Sequence, residues 1–267
     1  MRKARHAAQL LSLVSVTPNY LSDFDVYILN DDRPESFRLH KCSSSNVRTE
    51  SELSDFQVLL GYPRYATEYN MLWNAWFSSM ERHLVPRWIF QSTLEQENRF
   101  DINRFLNVMQ CLEILTNIYS TKVKVDRSVL EQFVSELGRL VEGRNEEADL
   151  RFLIAKMKEA NRPPLAERLE VLASKVDEQV LQWLLGDWRS TLKLAAQARN
   201  YFTHFGAIKD SKREFYEENL ATLTCKMTAL YGLIEFQLMG FAPQRLLKEA
   251  GMPWILQSAT HKQFAPQ

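Results

Sequence analysis

The chain has 267 residues, 45% of them hydrophobic and 25% charged, with 33 Lys and Arg against 33 Asp and Glu. That length can bury one sizeable core or two modest ones, and eight Gly and nine Pro are few enough to argue for helices over an all-β fold. The even balance excludes a bulk positive field for nucleic acid, so any RNA contact must be local.

Arg2, Lys3 and Arg5 precede AAQLLSLVSV, a pattern that imitates a signal peptide. His6 and Gln9 interrupt the apolar run and no small-x-small cleavage site follows, so secretion is not expected. No apolar stretch approaches membrane-span length. Cys42, Cys111 and Cys225 are scattered, without zinc spacing, and read as reduced thiols of a cytoplasmic protein. DVYILN and SFRLHK predict two short strands across the turn-forming segment from Asn30 to Pro34. The Ser-rich stretch KCSSSNVRTESELSD then predicts a loop or linker.

Beyond about residue 60 the period is helical. Tyr69, Trp73, Trp76, Phe77, Met80 and Leu84 form one stripe that should end near Pro86. Asp101 should cap a helix bearing Phe105, Val108, Met109, Leu112 and Leu115. From 126 to about 175 the helices look shorter and more charged, broken by Gly143 and Pro163-Pro164, as in a solvated insertion. Asp187 should cap a helix with Trp188, Leu192, Ala195 and Phe202 inward and Gly206 as its stop. Ser211 and Glu214 suggest a capping box for a last long helix, whose stripe is Tyr216, Leu220, Leu223, Met227, Leu230, Ile234 and Leu238. The expectation is a mainly α protein in three parts. These are a short N-terminal segment (1–60) with a β-hairpin, a four-helix bundle with a helical insertion (61–242), and a C-terminal tail (243–267).

The stretch AQARNYFTHFG carries the chemistry. Arg199 and His204 are five residues apart and would diverge by about 140° on a continuous helix. They converge if the helix ends near His204, which Gly206 would allow, or if a symmetry mate supplies a second pair. A histidine in a last helical turn favours its protonated form. Beside a fixed guanidinium it suits RNA backbone cleavage: the imidazole moves a proton, and arginine stabilises the charge on the phosphorane. Asn200 can hold a phosphate oxygen or the imidazole. An Arg-x4-His match arises by chance about one time in three in such a chain, and Arg33 with His40 is a looser match of that kind. Only Arg199 to His204 has the polar residue after arginine, the helix end and a capped apolar helix downstream.

Those features resemble the HEPN superfamily, whose signature is an arginine, a polar residue and a histidine after four to six residues. LAAQARNYFTHFG, with FLNVMQCLEIL upstream, is similar to the C-terminal half of ApeA-like abortive-infection proteins over about 60–240, most closely over 187–240. The resemblance implies a HEPN-type four-helix bundle and a metal-independent, cofactor-free ribonuclease. Arg199 and His204 would be its catalytic pair and Asn200 their polar neighbour, in a homodimer acting in anti-phage defence or as a toxin. RNA, with tRNA one candidate, and a phage-derived trigger or an antitoxin would be its partners. ApeA-like proteins usually carry a large β-rich domain ahead of the helices, and the first 60 residues here are expected to be a remnant of one.

Other residues admit two settings. Arg189, Lys193, Lys209, Lys212 and Arg213 could guide a phosphate backbone or form a solvated face. Tyr201 and Phe205 could fill a dimer interface or the core of one chain. Glu113 is read as structural first, with the cleft as its other setting. Trp73, Trp76, Trp183 and Trp188 are read as core before stacking platform, and Cys225 as core. His6, His40, His83 and His261 lack partners at metal-ligand spacing. The alternative function is a non-catalytic helical module that binds RNA, a nucleotide or a protein in the same groove.

Overall fold

The computed structural model describes residues 6–7, 9–10, 13, 23–30, 33–40, 62–94, 101–119, 125–141, 147–203 and 210–244. Two antiparallel strands, β1 (Asp23–Asn30) and β2 (Arg33–His40), form the expected hairpin. Its connection is tighter than the sequence suggests. Asn30 pairs with Arg33 and Leu29 with Pro34, so Arg33 and Pro34 belong to the second strand.

The helices are α1 (Tyr62–Ser78), α2 (Met80–Leu94), α3 (Ile102–Tyr119), α4 (Arg127–Val141), α5 (Glu147–Ala160), α6 (Leu165–Ala173), α7 (Glu178–Leu185), α8 (Trp188–Thr203) and α9 (Asp210–Leu238). The chain is thus mainly α. The expected stop at Pro86 is not there: Pro86 lies inside α2, and the irregularity falls at Ser79. Even at Ser79 the backbone ladder persists, because Ser79 N donates to Ala75 O at 3.1 Å and His83 N to Ser79 O at 3.0 Å. Proline removes one donor and crowds one carbonyl, and the buried packing of His83, Pro86, Arg87 and Phe90 outweighs that local preference.

Asp101 caps α3 as expected, accepting from Asn103 N at 3.1 Å. Phe105, Val108, Met109, Leu112 and Leu115 are all fully buried, each at about 1.5–3 kcal/mol of transfer free energy for a large side chain. Asp187 accepts from Ser190 N at 3.2 Å at the start of α8, whose Trp188, Leu192, Ala195 and Phe202 face inward. The stripe of α9 is buried from Tyr216 to Ile234, and Leu238 is partly so. The capping box at Ser211 and the stop at Gly206 lie outside the described side chains. Trp76 and Trp188 are core, Trp183 packs partly against it, and Trp73 is 41% exposed.

The charged stretch divides in two. In α4 and α5, Val129, Phe133, Phe152 and Leu153 are exposed, as a solvated insertion requires. From Leu165 onward that reading fails. Leu169, Leu172 and Ala173 of α6 are buried and the helix packs on α3 and α8, so α6 is core. Its Leu165, Leu169 and Leu172 fall at i, i+4 and i+7, a period hidden by the intervening charges. Near the N-terminus, His6, Gln9, Leu10 and Leu13 are helical and buried, and Trp76 Nε1 donates to His6 O at 2.9 Å.

Between α7 and α8 the turn depends on Gly186, at φ +73°, a left-handed value that glycine adopts without a Cβ penalty. The last carbonyl of α7 is not left bare: Leu185 O accepts from Thr191 Oγ1 at 3.1 Å and from Lys226 Nζ at 3.0 Å. Burial lowers the pKa of Lys226 in that position. This turn fixes where α8 starts, and so where its far end delivers Arg199.

Candidate functional site

Three helices meet around one carboxylate. α3, α6 and α8 pack against one another and contribute Glu113, Arg168 and Arg199. Arg199 Nη2 donates to Glu113 Oε2 at 2.9 Å, and Arg168 Nη2 donates to Glu113 Oε1 at 3.2 Å. Arg168 is held further by Thr116 Oγ1 at 3.0 Å and Asn117 Oδ1 at 2.7 Å. Asn200 accepts from Arg199 Nη1 at 3.2 Å, so the polar residue after the arginine orients its guanidinium. The carboxylate offers one oxygen to each fork, which fixes both guanidinium planes more tightly than either single contact would.

These side chains are neither sealed nor free. Arg168 is 12% exposed, Glu113 26% and Arg199 29%. Two arginines against one carboxylate leave a net positive charge at a surface that a phosphate can reach. His204 lies outside the described residues, as do Phe205 and Lys209, and the side chains of Lys212 and Arg213 are likewise outside them.

Among the described cations, Arg189 does not gather with Arg199. Arg189 pairs with Glu178 at 3.5 Å, lies over the Trp188 ring at 4.1 Å, and sits ten residues from Arg199. That is about 15 Å along the helix. Lys193 is exposed between them. Of its two settings Tyr201 takes the core: it is 6% exposed, with its ring 5.1 Å from both Phe202 and Tyr216. Among the described residues no three His, Cys, Asp or Glu side chains cluster as a metal-holding group.

A model of the Apea-like HEPN family matches residues 106–245. The chain belongs to that family. The match covers more than half of the chain and takes in Glu113, Arg168, Arg199, Asn200 and His204. No curated protein and no solved structure matches the chain. Membership of the Apea-like HEPN family suggests a nuclease or RNA-related function in defence, and HEPN domains are generally RNases. No helix among the described residues is long and apolar enough to cross a membrane.

Two groups escaped sequence reasoning. Arg168 was hidden in the stretch assigned to a solvated insertion; the Leu165/Leu169/Leu172 period was the signal that could have placed its helix in the core. The second group is a buried charge cluster. Glu235 of α9, fully buried, accepts from Arg87 Nη2 at 2.9 Å, His83 Nδ1 at 3.0 Å and the Tyr231 hydroxyl at 3.1 Å. Burial alone would raise the Glu235 carboxyl, but the Arg87 charge and the His83 hydrogen bond outweigh it and hold the pKa below its ordinary value. The cluster ties α2, which precedes the family match, to α9 within it. Arg87 and His83 stand 148 and 152 positions from Glu235, and no local pattern could announce that pairing.

Proposed function

We propose that this HEPN domain is a metal-independent endoribonuclease of anti-phage abortive infection, or a toxin, working in the cytoplasm. The observation that carries the reading is Arg199, whose guanidinium Glu113 and Asn200 orient while it stays accessible at the surface. In the proposed reaction the 2′-oxygen forms a bond to phosphorus, the bond from phosphorus to the 5′-oxygen breaks, and the 5′-oxygen leaves with a proton. His204 moves these protons, and Arg199, with Asn200, stabilises the charge on the phosphorane. The products are a 2′,3′-cyclic phosphate and a 5′-hydroxyl. Lys193, Lys209 and Lys212 are proposed to guide the RNA backbone.

Arg199 and His204 diverge on a regular helix, so we further propose a homodimer in which a two-fold axis brings two such pairs to one phosphate. The test is to express the chain and its His204→Ala variant in bacteria and sequence RNA ends. New cyclic-phosphate ends with the first chain alone support the reading; identical ends from both overturn it.

A further inference from the structure

The buried Glu235 cluster ends at the surface. His83 turns Nδ1 to Glu235 and Nε2 to the hydroxyl of Tyr119, the last residue of α3. Tyr119 is only partly buried, and it is anchored through His83 to Glu235 and Arg87. Burial, only partly opposed by the Arg82 charge, raises the pKa of its hydroxyl above the ordinary value. No phenolate therefore stands there to repel an anion.

Two exposed cations meet this fixed ring. The Arg82 guanidinium of α2 lies 4.5 Å from its centroid, and Lys175 Nζ, just past the end of α6, lies 5.6 Å from it. Contact with a ring orients a cation without cancelling its charge. Among the described residues neither cation pairs with an acid, whereas Arg87, Arg168, Arg189 and Arg199 all do. The acids that follow Lys175 are engaged elsewhere. Asp177 caps α7 by accepting from Gln179 N at 2.8 Å, and Glu178 pairs with Arg189 at 3.5 Å. The end of α3 accounts for one guanidinium contact, from Arg82 Nη2 to Ile118 O at 3.3 Å, and leaves Lys175 unexplained.

Position ties this spot to the arginine site. Glu113, which holds Arg199, and Tyr119 are six residues apart on α3, about 9 Å along the helix. Arg168 and Lys175 are seven apart. Counted on past the end of α6, that puts them within about 20° around the helix and about 10 Å along it. Both reach α3, Arg168 at Asn117 and Lys175 at Tyr119. At about 3.4 Å per phosphate in a stacked nucleic-acid strand, this interval spans about three phosphates.

We infer that Arg82 and Lys175 form a second backbone-phosphate site, which holds the RNA strand a few nucleotides from the phosphate at Arg199. The choice of RNA rests on the ribonuclease reading. Contacts of this kind fix the register of a strand and carry no base preference.

The test follows binding of a short single-stranded RNA to the full chain carrying Arg199→Ala, by fluorescence anisotropy across a salt series. Adding Arg82→Gln and Lys175→Gln should weaken binding at least about fivefold, equally for RNAs of different sequence. The slope of log affinity against log salt should become shallower by about 0.7 for each cation removed. Arg139→Gln, at an exposed position of α4, removes the same charge elsewhere and should change neither. If the double variant melts at a lower temperature, Lys175→Gln alone takes its place, with half the change of slope. RNA binding that ignores these variants overturns the inference. So does displacement of the RNA by micromolar inorganic phosphate or AMP, which would make this a site for a free anion. Cleavage is scored separately, from the RNA ends made by the native chain. Variant-sensitive binding by a chain that cuts nothing keeps the site and removes the ribonuclease; unchanged binding by a chain that cuts does the reverse.

Discussion

Glu113 and Arg199 stand 86 positions apart in the chain and meet at 2.9 Å, the carboxylate on α3 and the guanidinium on α8. The same carboxylate, through its other oxygen, holds Arg168 of α6. Arg199 is thereby oriented by the fold and not only by its place in a motif.

Replacing either Arg199 or His204 by Ala should abolish RNA cleavage and any growth arrest. The expected loss is about 10²–10³ in kcat for the arginine and about 10²–10⁴ for the histidine. Arg199 is partly exposed and flanks the buried face of α8, so the helical circular-dichroism signal should be unchanged. Equal cleavage by native chain and variant would remove the catalytic assignment.

Glu113 is expected to act through Arg199. Glu113→Ala should lower kcat by about tenfold to a hundredfold by loosening the guanidinium, without raising KM. Stability should change by only about 1 kcal/mol or less, because the ion pair is partly open to water. Recovery of part of kcat by Glu113→Asp would separate positioning from packing. A fall in melting temperature that accounts for the lost rate would assign Glu113 to the fold alone.

Cleavage should persist in excess EDTA and spare DNA, which has no 2′-hydroxyl to attack. In the proposed mechanism acid-base and electrostatic terms carry the chemistry. Activity that returns only with added magnesium or manganese would point to another nuclease mechanism.

Loss of Glu235 should be felt in stability. Glu235→Ala leaves Arg87 buried without its counter-charge and His83 without its hydrogen-bond partner, and should cost about 3–5 kcal/mol in chemical denaturation. The pKa of Glu235 is depressed in the fold, so its contribution is present above the ordinary value of 4.5 and fades as pH falls below that value. Acid titration of the native chain should show this fade, and Glu235→Gln should flatten it. A variant as stable as the native chain would show the cluster to be dispensable.

Mixing Arg199→Ala chains with His204→Ala chains tests the dimer. A heterodimer keeps one intact residue of each type beside the two-fold axis and should recover partial cleavage, and sedimentation should show two chains per particle. Tyr201 is core, so the contact must use other residues. A monomer cutting at full rate would rule out a shared site.

Much of this fold was readable from spacing. The caps at Asp101 and Asp187 and the stripes of α3, α8 and α9 follow local rules of side-chain hydrogen bonding and period. Pro86 misled because tertiary burial overrode a local preference, and α6 because three charges are interspersed among its three leucines. The candidate site was half legible. Arg199 and Asn200 stand in a compact pattern, whereas Glu113 and Arg168 become partners only after α3, α6 and α8 pack.

Glu113 has one more consequence, for the way RNA arrives. Before any phosphate approaches, Arg168 and Arg199 already hold an anion of their own. A phosphate arriving at this point joins guanidinium groups that already share a carboxylate, rather than filling a bare positive hole. Arginines neutralised in advance add less to the release of counterions from RNA, so affinity should fall less steeply with salt than the number of basic residues suggests. Taking Glu113 away should steepen that dependence even as it slows the reaction.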